Sequence, residues 1–308
     1  MITLTQFLFV TLLNLPSHLY LATSPIPHPR LRPPIIPFAD YLQPISLFFA
    51  TNALNNLAFS YRISVPLHII LRSGSSVTTM LIGYCFTSRR YTRLQCVSVA
   101  MITVGVLIAA LADAHAKGKL HSTSTGRGFG TGLVILFIAQ LLSAWMGINT
   151  QRLYARYGRE RAGEFLFWSH ALSLPLFLPF LPSIYTELSH LLASNLVTVP
   201  LSGSRFLLPQ AILALALNAL TQYACISGVN VLAARSSALT VTVVLNVRKL
   251  LSLILSVVVF GGEVGLDLGV GIGAVWVFGG GAVYGYSIGR AGARNAKEEV
   301  VADDRTRV

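Results

Sequence analysis

At 308 residues, 54% hydrophobic and only 11% charged, with a mean hydropathy of +0.66, the chain is not a soluble enzyme; soluble domains carry about 25% charged residues. Its net charge of +12 would suit nucleic acid. However, apolar stretches recur along the whole length, so the basic residues instead mark the side on which membrane loops lie, with the bilayer and not nucleic acid as partner.

The pattern predicts an all-α polytopic membrane protein with about nine transmembrane helices, near 2–22, 42–61, 66–86, 94–112, 129–150, 165–182, 207–227, 237–260 and 267–287. No Lys or Arg precedes Arg30, so the first stretch lacks a basic leader and reads as a span, not a signal peptide. The Pro-rich run from Ser24 to Pro37 cannot continue a helix and reads as a loop. Asn52, Asn55 and Asn56 share one face of the second span. The third opens at Pro66 and carries His68 and, about 9 Å deeper, Arg72. A snorkelling arginine is the plain alternative for Arg72.

The sixth span reads Phe167, Trp168, Ser169, His170. Its aromatics suit stacking on a base or an interfacial belt. The seventh holds Thr221, Gln222 and Tyr223, with Gly228 and Asn230 just past its end. Hydrogen bonding between helices is the alternative use of these groups. Arg248 and Lys249 stand at the midpoint of the eighth. A cation at that depth costs at least about 2.5–3.5 kcal/mol and marks a functional site by default. Thr242, Asn246 and Lys249 form one stripe there, beside a face with Ser237, Thr240 and Arg248. Cations bound to backbone carbonyls are the structural alternative. The ninth is dense in glycine, from Gly269 to Gly285, which suits close packing and excludes a phosphate loop, since no strand precedes it.

Loops after odd-numbered spans and the tail hold 15 of the 23 Lys and Arg, against 5 in the other loops. Arg72, Arg248 and Lys249 lie within spans. The positive-inside rule then makes the C-terminus cytosolic and Met1 lumenal, and suggests a helix missing before Met1. All 11 carboxylates fall in loops, at span edges or in the tail. An interior with cations and no carboxylates suits an anionic solute, with His68 and His170 the remaining proton carriers. No HExxH occurs, and nothing in the spacing of Ser, His and Asp marks a triad, so no catalytic residue, metal or cofactor is expected. Cys85, Cys96 and Cys225 lack metal or redox spacing and read as small buried residues.

Asn55-Asn56-x-Ala58, then Ile63-x-x-Pro66-Leu67-His68-x-Ile70-x-Arg72-Ser73-Gly74-Ser75, resembles the signature of the fungal UDP-N-acetylglucosamine transporters among the nucleotide-sugar transporters. So does Leu239-Thr240-Val241-Thr242 followed by Arg248-Lys249-x-x-Ser252-Leu253. Phe167 to Pro175, Thr221-Gln222 and Gly228-Val229-Asn230 fit as well. The likeness runs from about Thr3 to Gly289, beginning at what resembles the family's second helix. Relatives often have Tyr and Asn where Trp168 and Ser169 stand.

The resemblance implies the drug/metabolite-transporter fold, ten helices in two inverted repeats, here about 1–112 (incomplete) and about 129–287 of a single domain 1–289, with a charged tail over 290–308. It implies exchange of a cytosolic UDP-sugar for lumenal UMP in a Golgi or endoplasmic reticulum membrane, a homodimer being one assembly open to it. Arg248, Lys249 and Arg72 would neutralise the diphosphate. Phe167 and Trp168 would lie against uracil or sugar, with Asn230, Gln222 and Thr221 bonded to it. Asn246, Ser169, His170, His68 and Asn56 complete the candidate set. UDP-xylose, UDP-galactose or adenylyl sulfate are alternative substrates. A membrane transferase using a nucleotide-linked donor, and a nonconducting receptor or scaffold, are the other classes.

Overall fold

Ten α-helices dominate the computed structural model, which describes residues 1–22, 28–61, 71–72, 74–116, 129–201, 204–260 and 268–306. They are α1 Ile2–His18, α2 Phe38–Phe59, α3 Ser75–Thr87, α4 Arg93–Ala116, α5 Phe129–Tyr157, α6 Ala162–Ser173, α7 Leu181–Leu192, α8 Gln210–Arg235, α9 Ala238–Phe260 and α10 Leu268–Thr306. Two short antiparallel pairs accompany them: β1 (Leu19–Ala22) with β2 (His28–Leu31), and β3 (Leu196–Leu201) with β4 (Ser204–Pro209). Among the described residues, five segments are long and apolar enough to cross a membrane: Arg93–Ala112, Gly130–Tyr157, Arg159–Leu192, Gln210–Arg235 and Leu268–Arg290. The protein is an all-helical polytopic membrane protein.

Several boundaries differ from the sequence reading. The first helix stops at His18, where Leu19 turns to extended backbone, and 19–22 pairs with His28–Leu31 inside the expected loop. Pro29 is tolerated there because a two-stranded ribbon has only edges. The sixth stretch runs from α6 through a 3-10 segment, Leu174–Phe180, into α7. Its prolines at 175 and 179 fall in that segment, where they interrupt the α pattern. Helix α8 continues through Gly228 and Asn230 to Arg235, and α10 carries the charged tail on to Thr306.

Local chemistry explains other ends. Thr92 and Gln95 form a capping box at the start of α4: Thr92 Oγ1 accepts the Gln95 N–H at 3.3 Å and Gln95 Oε1 accepts the Thr92 N–H at 3.0 Å. Ser237 caps α9 by accepting the Thr240 N–H at 3.1 Å. Gly158 ends α5 with φ of 103°, a conformation that disfavours any side chain.

The chain forms two units, each drawing on both halves of the sequence: Met1–Ser46 with Thr150–Ser236, and Leu47–Asn149 with Ser237–Val308. In the first, α1 packs on α6 and α8. Glu164 of α6 accepts the backbone N–H groups of Ile35 at 2.6 Å and Ile36 at 2.9 Å, and its other oxygen lies 3.9 Å from the Arg161 guanidinium. It thereby fixes the approach to α2. Asp40 similarly accepts from the Tyr157 hydroxyl and pairs with Arg156 at 3.8 Å.

In the second unit, α4, α9 and α10 share a core of Val99, Ile102, Val106, Leu239, Val243, Leu250 and Val277. Helices α4 and α10 touch backbone to backbone. A Cβ added at Gly273 would lie 2.6 Å from the Gly105 carbonyl oxygen, and one at Gly280 2.9 Å from that of Ser98. Gly273 and Gly280 thus serve the packing role expected for the glycines, whereas Gly271 and Gly285 face open space. The cysteines depart from expectation as well. Cys85 and Cys96 are exposed and Cys225 half-buried, because apolar neighbours on a membrane helix also mark a lipid face.

Candidate functional site

The expected site residues divide between the two units. His68, the rest of 62–70, and Ser73 lie outside the described residues. Arg72, Asn56, Asn246, Arg248 and Lys249 belong to the second unit; Phe167, Trp168, Ser169, His170, Thr221, Gln222 and Asn230 belong to the first.

In the second unit, α9 presents a bonded polar set at its middle. Asn246 is fully buried, and its Nδ2 donates to Ser76 Oγ at 3.0 Å. Its Oδ1 accepts from Ser75 Oγ at 3.3 Å and from Lys249 Nζ at 3.0 Å. Lys249 Nζ also donates to the Arg72 backbone carbonyl at 3.3 Å. These bonds tie α9 to the first turn of α3 and to the short turn at Leu71–Gly74. Arg72 and Arg248 both repel the Lys249 ammonium. Three cations thus share one locality, and the ammonium's bonds named above go to neutral oxygens. A polyanionic ligand can exchange for those bonds and relieve the repulsion; Arg offers a bidentate fork to phosphate and Lys a point charge. Asn56 lies exposed on α2, while Asn55 beside it is buried.

In the first unit, Phe167 is buried and stacked on His18, ring centroids 4.3 Å apart and planes at 14°. That face is already covered by the imidazole. Trp168 packs edge-on to Phe38 and Phe167, and its buried indole N–H has no partner among the described residues. His170 lies 2.8 Å through Nδ1 from the Leu166 carbonyl, which can only accept, so Nδ1 carries the proton. Its ring packs on Phe7 at 4.6 Å. Ser169 Oγ donates to the Leu166 carbonyl at 3.3 Å. Asn230 is 8% exposed and joins helices: the Tyr154 hydroxyl donates to its Oδ1 at 2.5 Å, and its Nδ2 donates to the Ala162 carbonyl. Thr221, exposed on α8, bonds the Leu217 and Asn218 carbonyls at 3.0 Å each, and Gln222 is half-buried beside it.

Three contributors went unnoticed in the sequence. His18 covers Phe167, Tyr154 holds Asn230, and Gln140 of α5 donates to the Leu71 carbonyl at 2.8 Å. Gln140 had a readable signal, an isolated amide within an apolar span. The other two become visible only through pairings distant in sequence.

The "UDP-N-acetylglucosamine transporter yea4" of Schizosaccharomyces pombe is 42% identical over 92% of this chain and 85% of its own. The "Endoplasmic reticulum GDP-fucose transporter" of Drosophila melanogaster is 37% identical over 84% of this chain and 74% of its own. A solved crystal structure resembles the fold with a TM-score of 0.61 at 13% identity, covering 92% of this chain and 86% of that one. The model of the UAA transporter family matches residues 1–288, and the chain belongs to that family of transporters, not to an enzyme family.

Proposed function

We propose that this carrier moves a nucleotide sugar, UDP-N-acetylglucosamine, from the cytosol into the Golgi or endoplasmic reticulum lumen in exchange for UMP. The observation that carries the reading is the cation locality of Arg72, Arg248 and Lys249, with Lys249 bonded to neutral oxygens. A diphosphate supplies negative charge to these three cations, and the S. pombe relative supports the choice of sugar. Nine membrane helices of a ten-helix fold, with inverted repeats over about 1–112 and 129–287, would allow alternating access. The excess of basic residues in alternate loops supports a cytosolic C-terminus. A bound nucleotide offsets the repulsion among the cations, whereas an empty carrier must reorient with it, which favours exchange over leak.

The Drosophila relative favours a second reading, with GDP-fucose as cargo. Both ligands present a diphosphate, so the cations serve either and the base decides. Competition separates them. Uptake of labelled UDP-N-acetylglucosamine into proteoliposomes should be suppressed by unlabelled UDP-N-acetylglucosamine and UDP, and should resist an equal concentration of GDP-fucose. Stronger suppression by GDP-fucose would transfer the assignment to the guanine nucleotide.

A further inference from the structure

Two consecutive carbonyls of one short turn are held by side chains from two other helices. Gln140 of α5 donates to the Leu71 carbonyl at 2.8 Å, and Lys249 of α9 donates to the Arg72 carbonyl at 3.3 Å. Leu71 also accepts the Gly74 N–H at 3.2 Å, closing the turn from which α3 departs. A Cβ added to Gly74 would come 3.8 Å from Gln140 Nε2, so the amide lies directly against this turn. Gln140 is only 8% exposed, between apolar Ala139 and Leu141. An apolar residue of similar size would fill that place without the desolvation that a buried amide incurs. What the amide adds is a fixed position for the backbone that bears Arg72.

We infer that Gln140 is a positioning residue for the anionic ligand, pinning the Leu71–Gly74 turn so that Arg72 stays beside Lys249. The inference rests on the reading of these cations as the ligand site. Its physical content is a handover. A phosphate that engages Lys249 competes with the Arg72 carbonyl for the ammonium. Once Lys249 lets go, the Gln140 bond to the Leu71 carbonyl still restrains the turn. The amide therefore matters more to the occupied carrier than to the empty one. Its removal should weaken binding more than it lowers the stability of the unliganded protein.

The test is calorimetric binding of UDP-N-acetylglucosamine and of GDP-fucose to the purified full chain, with the unliganded thermal midpoint measured alongside. Gln140→Met keeps the bulk and removes the donor. It should raise Kd for the bound nucleotide sugar about threefold to tenfold, the size of one net hydrogen bond, with the unliganded midpoint nearly unchanged. In an Arg72→Ala background the same substitution should change Kd less than twofold, because there is no guanidinium left to position. Gln140→Leu serves if the Met variant does not fold, since it too fills the place and lacks a donor. An unchanged Kd in Gln140→Met, or a full effect persisting without Arg72, overturns the positioning role while leaving the ligand site standing. Wild-type protein that binds neither nucleotide sugar overturns the ligand site itself and the inference with it.

Discussion

Lys249→Ala is expected to abolish nucleotide-sugar exchange while leaving expression and membrane insertion intact. The substitution removes a point charge from a locality where Arg72 and Arg248 would otherwise join it on one polyanion. Hydrogen bonds to charged groups contribute about 1.5–3 kcal/mol, so ligand affinity should fall roughly 10- to 100-fold from this contact alone. The loss of the ties to Asn246 and the Arg72 carbonyl adds to it, because the Arg72 carbonyl then loses the hydrogen bond that joins it to α9. Lys249→Arg keeps the charge but changes its shape, and it should retain measurable uptake with a raised KM. The check is uptake per amount of folded carrier in proteoliposomes. Near-normal uptake by the Ala variant would remove Lys249 from the site.

Gly273→Val is expected to lose most of the folded carrier. Its first side-chain atom would meet the Gly105 carbonyl oxygen at 2.6 Å and the Ala109 Cβ at 2.7 Å. One is backbone and the other has no rotamer to move, so relief requires α4 and α10 to separate. Overpacking of this kind costs about 1–3 kcal/mol or more, against a typical stability of about 5–15 kcal/mol. Separation would also open the seam where Val99, Ile102, Val106 and Val277 bury their surface with α9. The control lies one residue pair away. Gly271→Val meets nothing within 4 Å and is exposed, so it should behave as wild type. Size-exclusion profiles and thermal midpoints in detergent compare the two. Equal behaviour would mean that the α4–α10 contact is looser than the structure shows.

These outcomes show what the sequence could and could not convey. The helix over 238–260 was legible as a long apolar run, and its cations stood out as costly. The residues that hold those cations were less legible. Asn246, Ser75, Ser76 and the Arg72 carbonyl meet across about 170 positions of sequence, and no periodicity announces such a pairing. Glycine density in α10 correctly signalled close approach, but it could not say which glycines face α4. Only the partner helix selects Gly273 and Gly280. The cysteines failed for a related reason: hydropathy reports an apolar environment and cannot tell lipid from protein interior. Glu164 was read as lying at a span edge; its use as an acceptor for Ile35 and Ile36 requires a segment 128 residues away. Its acceptor role there is set by the unpaired backbone donors of a proline-bounded segment.

Exchange at these cations is tested by uptake of radiolabelled UDP-N-acetylglucosamine into proteoliposomes containing the purified chain, with and without UMP inside. Uptake should be saturable, rise several-fold when UMP is preloaded and fall to background in Lys249→Ala. Uptake absent under both conditions, or uptake indifferent to internal UMP and to Lys249, would contradict exchange of a nucleotide sugar at these cations.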